Sequence, residues 1–412
     1  MVHAALAAYE RRYGILPAPR AAEIVLAQTP ILSTERVRTV EAQGRVLAET
    51  VVSSEQMPPF PAATVDGYAV VADDPAEWRT VLADVLAGQA DGAGVGPGTA
   101  ARIMTGAPLP RGADAVVMFE QTDEREGRVR LQRPVRRGDN LRPVGIDLEV
   151  GQAVLAAGAP LGPAEIGLLA TLGIAEVAVH RRPRVAVLST GDELVEPDAP
   201  LRPGAIRDSN RYALMAAARE AGAEAISMGM ARDDEALQRA RIGAAFDAAE
   251  VVITSGGVSV GTRDLIKPIL ESLGTVHFGR IALKPGKPLT FATVGEKLAF
   301  GLPGNPVSAL VTFEVFVRPT LLKMQGRRAV QRPRVEVEVE HALARTPDRT
   351  EYQRALVRWQ CGRLTARSTG SQISSRLLSM VGANALLEID PGEGTVPAGA
   401  RVSALLVGEV ES

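Results

Sequence analysis

The sequence predicts a multidomain α/β-plus-β protein with a central α/β parallel-sheet domain, an inserted mostly-β domain, a partly helical domain and a small C-terminal β domain. Three observations carry this expectation. Between Pro183 and Leu322, short apolar runs alternate with helical patterns, the texture of a parallel sheet covered on both faces. From about 51 to 141, short apolar runs alternate instead with Gly/Pro/Asp loops, which reads as strands joined by turns. After Gly326, residues 334–340 alternate Val with Glu, a half-buried strand with one solvated face. The expected boundaries are 1–50 with 142–180 for the partly helical domain, 51–141 for the insert, 181–326 for the α/β domain and 327–412 for the terminal barrel or sandwich.

Length and charge narrow the class. A chain of 412 residues suits two to four domains. With 46 Lys+Arg against 48 Asp+Glu, no broad basic field exists to coat nucleic acid. A single cysteine, Cys361, can build neither a disulfide framework nor a thiolate metal cluster, and it fits a reducing cytosol. The first 16 residues carry Glu10, Arg11 and Arg12 inside a helical pattern, unlike an export signal. The apolar stretch 153–179 is broken by Gly158, Pro160, Gly162 and Pro163 and is no membrane span. The expectation is a cytoplasmic protein with neither a nucleic acid nor a membrane partner.

In chain order, residues 20–50 read as helix, with Ser33 and Thr34 offering a cap before a second helix over 35–47. The insert should place strands at 68–71, 115–119 and 128–131, with 91–98 as an exposed Gly-rich loop. Pro163 and Gly173 frame a helix over 164–172. The α/β region then predicts strands at 185–188, 225–230, 251–254 and near 288–301. Helices are expected at 209–221, 233–249, 263–273 and 306–322. In such sheets, ligands bind beyond the carboxyl ends of the strands.

The loops at those ends share one chemical theme. Ser189-Thr190-Gly191-Asp192-Glu193, then Ser255-Gly256-Gly257-Val258-Ser259-Val260-Gly261, and Gly301-Leu302-Pro303-Gly304-Asn305-Pro306 each follow a predicted strand. Two of them place glycine amides before a helix, where backbone N–H groups favour an anion. Glu193, Asp233 and Asp264 stand among these loops; carboxylates beside a phosphate site call for a divalent cation, and oxygen donors without His or Cys point to Mg²⁺. The bland alternatives are an ordinary tight turn for each loop, solvation for Glu193 and a helix N-cap for Asp233. Of the 46 basic residues only five are lysines, and three of these lie between 267 and 287. Lys284-Pro285-Gly286-Lys287-Pro288, preceded by Arg280, reads as an oxyanion clamp built from compact ammonium charges.

Taken together, these strings resemble the MoeA family of molybdopterin molybdenumtransferases, which includes the E domain of gephyrin. The matching pieces are 65–70 (VDGYAV), 105–110 (TGAPLP), 140–147 (NLRPVGID), 189–194 (STGDEL), 208–212 (DSNRY), 255–261 (SGGVSVG) with Asp264, 284–288 (KPGKP) and 301–306 (GLPGNP). They span roughly 20–380 in the family's order. The resemblance implies a MogA-like, pterin-binding α/β domain, a hinge and dimerisation role for the partly helical domain, and a homodimer whose cleft is completed by the partner's inserted domain. It implies Mg²⁺-dependent insertion of molybdate into adenylyl-molybdopterin, releasing AMP. A molybdopterin-adenylating protein and apo-molybdoenzymes are the implied protein partners. Carried over by position, Glu193, Asp233, Asp264, Asp66, Thr105 and Asp147 match the family's catalytic residues, with Glu193 and Asp264 as metal ligands. Ser255, Gly256, Gly257, Ser259, Pro303, Gly304, Asn305, Pro306, Arg280, Lys284, Lys287, Arg354 and Ser374 match its substrate-binding positions. The chain departs from the family's usual residues at Ile146, Arg280, Ile373 and Ala385. Two other readings compete: the related adenylyltransferase, whose members lack the insert and the β tail, and a non-catalytic gephyrin-like scaffold.

Overall fold

The computed structural model describes residues 14–88, 94–257 and 265–411, and it divides into two compact units. The first holds residues up to Ala48, Gly158–Pro163 and everything from Glu176 onward; the second holds Glu49–Ala157 and Ala164–Ala175. Ser259 and Asp264, both expected at the site, lie outside the described residues, as does part of the 91–98 loop.

In the first unit, four strands run parallel in the order Glu224–Ala231, Arg184–Thr190, Val251–Ser255 and Lys297–Leu302. These strands are Val/Ile-rich because helices cover both faces. One face packs Val185, Val187, Ile253 and Phe300 against Leu214 and Ala218 of the Asn210–Glu220 helix and against Phe313 and Phe316. On the other, Ala186, Leu188 and Val252 meet Ile242 and Phe246 of the Glu235–Ala248 helix and Ile266, Ile269 and Leu270 of the Ile266–Leu273 helix. Each such fully buried large side chain contributes roughly 1.5–3 kcal/mol.

The expected parallel sheet is present, and it carries an antiparallel extension. Pro288–Val294 and Lys297–Leu302 form an antiparallel hairpin about Gly295-Glu296, and Thr275–Lys284 adds antiparallel to its outer edge. A two-residue connection permits only antiparallel neighbours. Thr275–Lys284 then pairs in parallel with Thr350–Gln360, which carries the sheet into the C-terminal β region. There, Thr350–Gln360, Arg363–Ser368, Arg334–Val339, Arg401–Leu406 and Ala385–Ile389 close on themselves, the last strand pairing back to the first. A closed ring removes sheet edges. Its interior is filled by Val337, Val339, Ala355, Val357, Leu387 and Ala404.

Two expected helices differ in detail. Residues 34–47 are not helical: Thr34–Arg38 is a strand paired antiparallel with Glu176–His180, followed by a single turn at Thr39–Glu41. Thr34, Val37, Thr39 and Val40 are β-branched and stiff at χ1, and the complementary Glu-Val-Ala-Val-His segment outcompetes a helix. The 306–322 helix is instead Pro306–Thr312, a π-helical Phe313–Val317 and Arg318–Met324. Pro319 has no N–H to give the carbonyl four residues back, and the widened turn immediately before it accommodates that loss.

The second unit is built on a six-stranded sheet in the order Ala115–Met118, Gly67–Val70, Thr99–Ile103, Arg79–Val85, Arg128–Leu131 and Thr122–Arg125. Ala62–Ala63 pairs with Leu141–Arg142, Val51–Val52 with Ala153–Leu155, and Pro163–Thr171 forms its helix.

Candidate functional site

Two of the strand-end loops converge on one side chain. Asn210 opens the helix after Asp208, and its Nδ2 donates to Ser255 Oγ and to the Gly304 carbonyl, both at 2.7 Å. The Gly256 N–H donates to the Leu302 carbonyl at 3.1 Å, and Thr190 Oγ1 donates to the Ser255 carbonyl at 3.4 Å. Ser255, Gly256, Gly257, Pro303, Gly304 and Asn305 are thereby gathered at one end of the parallel strands. Asn210 is itself held by its neighbours. Asp208, buried, accepts from Ser189 Oγ at 2.9 Å and from Arg211 Nε at 2.9 Å, and Arg211 also donates to Glu196 at 2.5 Å.

Glu193 sits in the turn after Thr190. Gly191 has φ +144°, and a Cβ there would lie 2.4 Å from Glu193 Oε2, so the carboxylate folds back over a backbone that only glycine leaves open. Asp233 is not the helix N-cap. That role falls to Asp234, whose Oδ1 accepts from the Leu237 N–H at 2.8 Å, while the Asp233 N–H donates to Asp192 Oδ1 at 3.3 Å. Among the described residues, no group of three or more His, Cys, Asp or Glu side chains gathers to hold a metal ion.

Beyond Asn305 the site continues into a cleft of about 980 Å³. It is lined by Lys284, Lys287, Asn305 and Ser308, and by His341, Arg349, Glu351, Arg367 and Ser374 of the C-terminal region. Gly286 has φ +120°, and a Cβ there would meet Thr312 Cγ2 at 2.5 Å, so the turn between the two lysines requires glycine. Lys284 Nζ donates to Thr346 Oγ1 at 2.9 Å and to Glu351 Oε2 at 3.2 Å. Lys287 has no ion pair among the described residues. Arg280 is buried, in register with Pro288. Asn305 Nδ2 donates to Ser374 Oγ at 3.1 Å, and the Val307 N–H donates to the Ser374 carbonyl, so the 370–374 loop is docked onto the GLPGNP turn.

Arg354 does not reach the cleft surface. It is 0% exposed, its Nε donates to Ser379 Oγ at 3.2 Å and its Nη1 has no partner. Burial pushes its pKa down to about 10, against the pull of nearby Glu351, which leaves it charged at neutral pH. In this geometry it braces the loop that carries Ser374.

Asp66, Thr105 and Asp147 belong to the second unit. Asp66 Oδ1 accepts from both the backbone N–H and the hydroxyl of Thr105 at 2.7 Å each. Those two donors, the N–H first, hold the Asp66 carboxyl below its usual range. Asp147 pairs with Arg142.

Residues missed from sequence are Asn210, Glu351 and Thr346. Asn210 lies inside a matched string; Glu351 and Thr346 carry no signal, because they stand 67 and 62 residues from Lys284, and strand pairing brings Glu351 to it.

Comparison with known proteins follows the same map. Residues 16–173 match the MoeA N-terminal region (domain I and II), 186–323 a domain described as "probable molybdopterin binding domain", and 336–407 the MoeA C-terminal region (domain IV). A molybdopterin molybdenumtransferase of Haemophilus influenzae is 38% identical, over 92% of this chain and 95% of its own. One of Bacillus subtilis is 36% identical over 91% and 90%. Gephyrin of Dictyostelium discoideum is 36% identical over 97% of this chain, which spans 63% of gephyrin's length. The crystal structure of a MoeA protein from Pyrococcus horikoshii superposes with a TM-score of 0.82 at 35% identity, covering 96% of this chain and all of that one. No helix among the described residues is long and apolar enough to cross a membrane. With all three regions matched in order, the chain belongs to the MoeA family of molybdopterin molybdenumtransferases, proteins of molybdenum cofactor biosynthesis.

Proposed function

We propose that this chain inserts molybdenum from molybdate into adenylylated molybdopterin, with release of AMP, acting as a cytoplasmic homodimer. The observation that carries the reading is the continuity of two anion-suited surfaces. Two strand-end loops tied together by Asn210, with a third joined to them through Thr190, lead through Asn305 into a lysine-lined cleft. The loops offer backbone N–H groups and hydroxyls suited to a pterin nucleotide. The cleft offers what a tetrahedral dianion needs, ammonium charges and polar donors rather than an apolar slot.

Each residue has a task in this scheme. Ser255, Gly256, Gly257, Ser259, Pro303, Gly304, Asn305 and Pro306 bind the pterin nucleotide. Lys284 and Lys287 hold the oxyanion, with Arg280 nearby and Ser374 on the facing loop, while Arg354 positions that loop. Asp66, held ionised, orients the Thr105 hydroxyl by accepting from it. In the homodimer, Asp66, Thr105 and Asp147 are supplied to the cleft by the other subunit. Glu193, with Asp264, would hold Mg²⁺. Mg²⁺ commonly takes one or two carboxylates and completes its shell with substrate phosphates and water. Bound there, the ion supplies charge neutralisation for cleavage of the phosphoanhydride. Asp233 keeps the neighbouring loop in place through Asp192.

The test is AMP release from adenylyl-molybdopterin by the purified chain. Release that requires molybdate is the expected result; ATP-dependent adenylylation of molybdopterin without a molybdate response would replace this reading with the adenylyltransferase one.

A further inference from the structure

Lys284 is not a free cation in the cleft. Its Nζ is bonded to Glu351 and Thr346, and Thr346 Oγ1 donates to the same Glu351 oxygen at 2.7 Å, closing a three-membered ring of contacts. The arrangement is built into the backbone, because Lys284 and Glu351 are register partners across two parallel strands. The Glu351 side chain is only 4% exposed, whereas that of Lys284 is 43% exposed. The carboxylate is therefore the buried partner of the pair and the lysine the exposed one, and both line the cleft. Two of its three N–H groups are used by the wall, and one remains for a ligand.

A negative charge in contact with an anion-binding ammonium fixes its position and also subtracts from its pull on an anion. An oxyanion that must be handed on gains nothing from tight ground-state binding, which lowers KM without raising kcat. Resting on the reading of the cleft as an oxyanion site, we propose that Glu351 is a positioning residue that aims Lys284 and sets the cleft's oxyanion affinity low enough for transfer.

The measurement is the affinity of the full chain for molybdate and for perrhenate, a tetrahedral monoanion of similar shape, by calorimetry, with turnover kinetics alongside. Glu351→Gln keeps the shape and removes the charge. Because the lost repulsion scales with ligand charge, molybdate is expected to bind about tenfold tighter and perrhenate about threefold tighter. In turnover, KM for molybdate and kcat are expected to fall together, and Glu351→Asp, which keeps the charge, to restore the wild-type pattern. Unchanged affinities, or an equal factor for both anions, would overturn the proposal in favour of a purely structural Glu351. If Glu351→Gln does not fold, Lys284→Gln/Glu351→Gln removes both charges of the pair and restores the net charge of the wall. Molybdate affinity should then exceed that of Lys284→Gln alone; no recovery overturns the proposal. If Lys287→Ala binds molybdate as the wild type does, the oxyanion reading of the cleft fails, and this inference fails with it.

Discussion

Replacing Asn210 by alanine should loosen the nucleotide half of the site without touching the oxyanion half. The amide makes two hydrogen bonds of 2.7 Å, to Ser255 Oγ and the Gly304 carbonyl, from a residue only 9% exposed. At a net 0.5–1.5 kcal/mol each, and with the hydroxyl of buried Ser255 losing its donor, the loss is about 2–3 kcal/mol. If half of this is felt by the bound ligand, pterin-nucleotide affinity falls roughly tenfold. The remainder appears as a lower melting temperature. Asn210→Asp should be worse than alanine, since a carboxylate oxygen would face the Gly304 carbonyl, acceptor against acceptor. Nucleotide binding followed by fluorescence, calorimetric binding of molybdate and thermal unfolding separate the cases. The expected order of nucleotide affinity is Asn, then Ala, then Asp, with molybdate binding to the free protein within twofold of wild type. Wild-type nucleotide affinity in Asn210→Ala, whatever its melting temperature, would refute the bracket.

Lys287→Ala should weaken molybdate use by about tenfold, the scale of one desolvated charge-assisted contact, while leaving pterin-nucleotide binding nearly intact; equal loss of both in binding assays would contradict the clamp. Gly286→Ala should destabilise the chain by about 1–3 kcal/mol in thermal unfolding, because its φ of +120° and the Thr312 methyl at 2.5 Å both oppose a side chain. Asp66 is held below the ordinary carboxylate range by Thr105, so its contribution to folding is present above the unfolded carboxylate pKa and lost as pH falls through the lower, folded value. Asp66→Asn should therefore flatten the acid limb of the stability profile of the second unit, and an unchanged limb would show that Thr105 does not select the ionised form.

Much of the site could be read from the sequence, because its parts are local. A strand, a glycine turn and a helix lie within a dozen residues of one another at Val251–Ser255 and at Lys297–Leu302, and their chemistry survives without knowing the neighbours. The two lysines of the 284–288 turn are likewise one local device. What escaped was non-local. The Thr34–Arg38 strand depends on Glu176–His180, more than a hundred residues away, and local capping signals pointed the wrong way. Glu351 becomes part of the site only through the pairing of its strand with Thr275–Lys284. Arg354 matched a binding position by string, yet tertiary packing buries it completely and turns it into a brace. The sequence offers Asp233 as an N-cap, but Asp234 takes the role, since helix starts are set within a residue by backbone geometry that the sequence constrains weakly.

The central claim, that the cleft between the 284–288 turn and the C-terminal region receives the oxyanion next to the nucleotide loops, is tested most directly by anomalous diffraction from crystals soaked in molybdate. The account predicts a molybdenum peak in the cleft within contact of Lys287 and the free side of Lys284, absent from crystals of Lys287→Ala. A peak elsewhere on the chain with the cleft empty, or one that persists unchanged in Lys287→Ala, would contradict it.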